Sequence, residues 1–311
     1  MESVMRTVGP AHQFLAKPCT SDAVVDVIRR SLESRRLLES RALRELMAGL
    51  KTLPTPSPTY YALTAYMKDP KASVNGVAAI IEGDVAMTAE LLKLTNSAYF
   101  AMPSRVSSPL QAVRVLGFET LTALVLRAGI FRSFTGCGAM MMEEVNRDSM
   151  MVARLARRIG RMEALEGRDL EETFCAGMLS SIGLLVLLDR RPRKMDEVRA
   201  AIAGGQDILL AETAVFGATH LQLGAYLLSL WGFNKAVVEA VALSGRPGAV
   251  APSRLGPAGA VHLARVLAGP LPPYAESMVV DQEFVDGLEG GGRMDAWVRE
   301  AAAELSGEGK R

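Results

Sequence analysis

Beyond residue 61 the apolar residues recur three and four positions apart, the period of an amphipathic helix, and no two-residue alternation persists after residue 20. The polar residues between these runs mark where helices begin. Ser73 is placed to cap a helix over 74–82, and Asp84 one over 85–97. Ser108 followed by Pro109 pairs an N-cap with a first-turn proline and opens a helix through Val115. The stretch "LTALVLRAGIF" predicts another, and 142–164 a third with Val145, Met151, Val152, Leu155 and Ile159. Asp169 and Glu172 are spaced as a capping box for the helix that holds "MLSSIGLLVLL", residues 178–188. Thr219 and Gln222 form a second box ahead of "HLQLGAYLLSLWG", which Gly232 ends. Helices at 234–243, 256–267 and 293–305 complete the set, the last following a flexible joint, "EGGGR" at 289–293.

Ahead of this helical body, His12 to Ala16 is a short strand-like run and Lys17-Pro18 turns the chain. Thr20, Ser21 and Asp22 then supply caps for a long helix running to about residue 50, with Val24, Val25, Ile28 and Leu32 at helical spacing. Its continuation, rich in Arg and Glu from Arg35 to Glu45, reads as a solvated linker helix. Prolines 54, 56 and 58 make a boundary that no helix crosses. The expected organisation is an N-terminal segment and linker over 1–40, then an all-α, multi-helix bundle over 41–311. That bundle has its core at about 51–247 and a helical extension at 248–311.

Composition narrows the function. The chain is 49% hydrophobic but only 5% aromatic, a balance that favours helices packed on helices. With 35 basic and 34 acidic residues among 311, it offers no general field for nucleic acid or anionic lipid. Cys19, Cys137 and Cys175 contain no CxxC pair, so neither a zinc knuckle nor a disulfide framework is expected. The N-terminus lacks an apolar signal core, and the apolar run from Thr173 to Leu188 falls short of the ~20 residues that span a bilayer. The expectation is a cytoplasmic protein without membrane or nucleic-acid partners. No phosphate-binding loop, dinucleotide fingerprint or nucleophile elbow is present. His12, His220 and His262 have no partner at metal-ligand spacing; His220 reads as capping or packing a helix start, and His262 as a core histidine. The basic "DRRPRK" at 189–194 reads as a helix end rather than a contact for an acidic partner or nucleic acid, and the Met140–Met142 run with Met150 and Met151 as core rather than an adaptable partner surface.

Particular segments carry a resemblance. "LPTPSP", "IIEGDVAMTAELLKLTNSAYF", "VSSPLQAVRVLGFETLTALVL", "FCAGMLSSIGLLVL" and "FGATHLQLGAYLLSLWGF" follow in the order found in the HDOD family. These are the non-catalytic relatives of HD-superfamily phosphohydrolases in bacterial signalling proteins. The N-terminal "FLAKPC" and the helix after it resemble the last strand and helix of a response-regulator receiver domain, with Lys17 in its Lys-Pro turn. In catalytic HD proteins an adjacent His and Asp on a buried helix bind a metal that activates water, and an earlier His and a later Asp close its shell. The resemblance places Ser180 and Ser181 in the His-Asp positions, Asp148 at the first His and Arg265 at the last Asp. Ser244 and Gly245 stand where relatives often carry paired histidines.

This implies no catalytic residue, metal or cofactor, and a response-regulator effector that acts by binding other proteins. The partners implied are kinases, cyclic-nucleotide enzymes or transcription regulators. Two rival readings follow from the same pocket: a sensor holding a nucleotide or anion through Arg265, and a metal phosphohydrolase of HD or HD-GYP type. Because the first and last ligand positions converge on one ion, Asp148 and Arg265 are expected to meet as a charge-assisted pair, with the serine hydroxyls satisfying what remains.

Overall fold

The computed structural model describes residues 41–48, 50, 56–96, 100, 106–131, 134, 138–250, 254–289 and 293–306. His12, Lys17, Cys19, Cys137, Ser97 and the receiver-like segment lie outside them, as does the expected long helix before Arg41. The described residues form fifteen α-helices and no sheet, with one isolated bridge between Leu271 and Glu276. In chain order the helices are α1 Arg41–Ala48, α2 Pro58–Tyr66, α3 Val74–Glu82, α4 Val85–Thr95 and α5 Pro109–Phe131. Then follow α6 Ala139–Met162, α7 Gly167–Leu179, α8 Ile182–Arg190, α9 Pro192–Ala203 and α10 Ile208–Phe216. The set closes with α11 His220–Leu230, α12 Lys235–Leu243, α13 Pro257–Leu267, α14 Gln282–Gly287 and α15 Met294–Leu305.

Most starts are made by the caps the sequence supplies. The Ser73, Asp84, Ser108 and Asn234 side chains each accept from a first-turn N–H, and Thr219 with Gln222 closes a reciprocal capping box. Gly117 (φ 74°) bends α5, separating the two helices expected there. Asn96 stitches α4 to the entrance of α5: its amide donates to the Val106 carbonyl at 2.7 Å and accepts from the Val106 N–H at 2.8 Å. Tyr60 ties the entry segment to the body by donating to the Trp231 carbonyl at 2.9 Å.

Four expectations need correction. Asp169 and Glu172 form no capping box; α7 starts at Gly167, after Glu166, so Asp169 lies inside its first turn. The Glu172 carboxylate instead accepts from Arg168 at 2.8 Å and from Asn234 at 3.1 Å. "MLSSIGLLVLL" is not one helix, because α7 ends and α8 begins at Ser180-Ser181. By length and composition Gly167–Arg190 is apolar enough to cross a bilayer, beyond the shorter run counted in the sequence, and so is Pro109–Gly129. The first of these is 89% buried inside the protein, as expected of a core element. The methionines divide, with Met150 in the core and Met140 exposed.

α7 is the axis of the bundle. It is surrounded by α5, α6, α12 and α13, and the most extensive contacts are those of α6 with α7 and with α13. Missing side chains permit this closeness. A Cβ on Gly177 would lie 2.8 Å from Ala153 Cα, and one on Gly183 would lie 2.0 Å from the His220 carbonyl oxygen and 2.6 Å from Gly224 N. The backbones of α8 and α11 therefore cross at a distance only glycine tolerates. Gly183→Ala is expected to destabilise the fold by about 1–3 kcal/mol, the usual cost of overpacking. Gly224→Ala, whose Cβ would meet nothing nearer than 3.3 Å, should cost less. Urea unfolding of the two variants checks the order.

Candidate functional site

The inner face of α6 is set by Val145, Ser149, Val152, Ala156 and Ile159, all buried. This leaves Asp148 at the edge of that face, where its side chain is 10% exposed. On α13, Ala260, Val261, Leu263 and Ala264 are buried, and Arg265 sits among them at the helix's last turn with its side chain 6% exposed. α6 and α13 pack against each other, and the two residues meet: Arg265 Nη1 donates to Asp148 Oδ2. Arg265 Nη2 donates to the Gly269 carbonyl at 2.9 Å, just past the helix end, where a cation also complements the helix dipole. Its Nε is buried without a hydrogen-bond partner.

The serines do not join this pair. Ser180 Oγ donates to the Gly177 carbonyl of its own helix at 2.9 Å, and Ser181 stands buried at the start of α8 without a side-chain capping bond. The structure thus brings Asp148 and Arg265 together, while the expected completion by the serine hydroxyls gives way to a local bond within three residues. Ser244 Oγ likewise turns back to the Val241 carbonyl at 2.9 Å.

The two described histidines are satisfied in different ways. His262 is fully buried; its Nδ1 bonds the Ser244 carbonyl at 2.8 Å and its Nε2 accepts from the Asp281 N–H at 2.8 Å. That pattern requires the neutral ring, and burial lowers its pKa below the ordinary histidine value. His220 packs rather than caps. Its Nδ1 lies 2.8 Å from both Glu212 oxygens, and its backbone N–H donates to Glu212 Oε2. The Tyr274 hydroxyl, 2.6 Å from Glu212 Oε1, completes a buried network joining α10, α11 and the segment after α13. Burial and the Glu212 charge push the Tyr274 pKa upward. Sequence reasoning missed Glu212 and Tyr274; the one available signal was an acid inside the apolar run "ILLAETAVF".

A catalytic metal does not fit these residues. Arg265, which the resemblance sets where an HD protein supplies a carboxylate, presents a guanidinium held by Asp148 and a carbonyl, and the Ser180 hydroxyl bonds its own backbone. Among the described residues no three His, Cys, Asp or Glu side chains converge as a metal requires. Two depressions stand out on the surface, one lined by Arg168, Glu172, Asn234, Lys235, Ala236 and Glu239, the other by α1. Neither touches Asp148 or Arg265.

Comparison with known proteins agrees with this architecture. A family model described as HDOD domain matches residues 53–247. An uncharacterized protein of Treponema pallidum (strain Nichols) is 25% identical over 181 residues, 56% of this chain; the match spans about a third (34%) of that longer relative. Among solved structures, an HDOD domain protein of unknown function from Geobacter sulfurreducens is 22% identical. It superposes with a TM-score of 0.64, over 88% of this chain and 98% of its own. A protein of Shewanella amazonensis SB2B whose name suggests a phosphohydrolase is 23% identical with a TM-score of 0.64, covering 88% and 97%. One of Marinobacter aquaeolei VT8 whose name suggests signal transduction is 21% identical with a TM-score of 0.59, covering 90% and 66%. At these identities the likeness establishes the shared fold.

Two outcomes follow. Asp148→Ala should cost about 3–5 kcal/mol, because it strands a buried guanidinium, and adding Arg265→Leu should restore much of the loss. Chemical denaturation of the single and double variants measures it. His262, neutral in the fold and more basic when unfolded, makes stability fall as pH drops below about 6.5, the unfolded histidine value. His262→Gln should flatten that part of the curve of melting temperature against pH.

Proposed function

The chain belongs to the HDOD family, and on that premise we propose that it is a non-enzymatic signal-transduction module that works by binding other proteins. The observation that supports this most is the Arg265–Asp148 pair. At two positions that the resemblance sets against metal ligands of catalytic relatives, the chain carries a cation held by its own carboxylate. A guanidinium there repels a divalent ion and neutralises the acid that remains. A protein with such a core has its surface left to act with, and the described helices offer a rigid one. The partners we propose are signalling proteins in the cytoplasm: kinases, cyclic-nucleotide enzymes or transcription regulators.

The phosphohydrolase suggested by the name of one structural neighbour is the reading to test against. It requires water activated on a metal, a role for which Ser180, Ser181 and Arg265 provide no ligand of the needed kind. Purified protein supplied with Mn²⁺, Mg²⁺ or Zn²⁺ should hydrolyse neither phosphomonoesters nor cyclic dinucleotides. Affinity capture from the native cell should recover signalling proteins in stoichiometric amounts. Metal-dependent turnover abolished by a chelator would overturn the proposal.

A further inference from the structure

Arg154, Arg157, Arg158 and Arg161 recur on α6 at i, i+3, i+4 and i+7, which places four guanidinium groups along one stripe of the helix. Part of that stripe is covered by α15, which lies outside the residues matched by the family model. α15 presents a face of the same spacing: Trp297, Glu300, Ala301 and Glu304. Arg158 pairs with Glu300 and, at 2.5 Å, with Glu304, while Arg154 meets the other oxygen of Glu304. The Glu304 side chain is 1% exposed, so its charge is sustained by the two arginines rather than by water. Trp297 is buried beside them, its indole N–H donating to Glu163 Oε1 at 3.1 Å. The contact is a recognition site in miniature, with an aromatic anchor, a small residue for close approach and two carboxylates one turn apart.

α15 does not use up the stripe. Among the described residues no carboxylate of α15 pairs with Arg157 or Arg161. Arg157 lies against the Phe174 ring, its Nε buried without a hydrogen-bond partner, while Arg161 is exposed. Burial and the neighbouring Arg161 charge make the Arg157 guanidinium less basic than usual, an effect that the Glu171 carboxylate of α7 partly offsets. A helix with carboxylates opposite all four arginines would match the stripe better than α15 does.

We propose that the arginine stripe of α6 is a docking surface for an acidic amphipathic helix of a partner protein, and that α15 occupies it as an internal stand-in which that helix displaces. The partner is recognised by an aromatic residue followed by carboxylates at i+3 and i+7, with further acids reaching Arg157 and Arg161. This rests on the protein-binding reading above and gives it a place on the molecule. The chain's own helix is tethered, so it competes at high effective concentration, and the surface opens only to a better-matched helix.

The test uses the full chain and a fluorescently labelled peptide of residues 293–306. Glu300→Gln with Glu304→Gln should release α15 and let the peptide bind, roughly tenfold or more tighter than to the unaltered protein. That binding should weaken with added salt and be lost when Arg154→Ala and Arg158→Ala are added. Hydrogen exchange on the unaltered protein keeps the question decidable where the variant folds poorly: α15 amides should exchange by local opening, well before those of α7. Peptide binding no better in the variant, or α15 exchanging only with global unfolding, overturns the proposal. If the peptide fails while native partners still co-purify, the protein-binding reading stands and this surface is abandoned.

Discussion

The buried pair of Asp148 and Arg265 is the constraint around which the centre of the molecule is arranged. It joins α6 to α13, the two helices that flank the central α7, and Arg265 also closes the carbonyl end of its own helix. A lone charge in this interior would carry a desolvation penalty of several kcal/mol, so each residue is tolerable only because the other is present. The buried apolar residues set which faces of α6 and α13 turn inward, and the pair joins the two helices at the edge of the α6 face. By the proposed reading, it stands where two of a metal's ligands would be in catalytic relatives.

Around it, several polar groups are satisfied locally or by a dedicated partner, although Arg265 Nε itself has none. Ser180 and Ser244 return their hydroxyls to carbonyls three residues back. His262 spans two backbone groups from separate segments, and Glu212 collects donors from His220 and Tyr274. The interior reads as architecture, which directs attention to the helical surfaces.

How much of this was legible in the sequence depends on range. Caps at Ser73, Asp84, Ser108 and Thr219 could be read because donor and acceptor lie within three residues. Asp169 misled because its spacing to Glu172 imitates a capping box, while Gly167, in the left-handed region at φ 52°, starts the helix earlier. The break at Ser180-Ser181 was hidden because both flanks are apolar and buried on every side, which erases periodicity. The Asp148–Arg265 contact, 117 residues apart, was reached through spacing and resemblance together, since no local signature joins the two. Glu212 with Tyr274 and Arg158 with Glu304, 62 and 146 residues apart, have no local signature.

In the proposed reading, the Arg265 guanidinium stands where catalytic relatives bind a metal ion. Paramagnetic Mn²⁺ titrated into uniformly labelled protein tests it most directly, by following the backbone amides of Asp148, Ser180, Ser181 and Arg265 and the Arg265 Nε–H signal. The account predicts that these resonances stay sharp while exposed carboxylates broaden weakly and non-selectively. Selective broadening centred on those four residues at stoichiometric Mn²⁺ would contradict it.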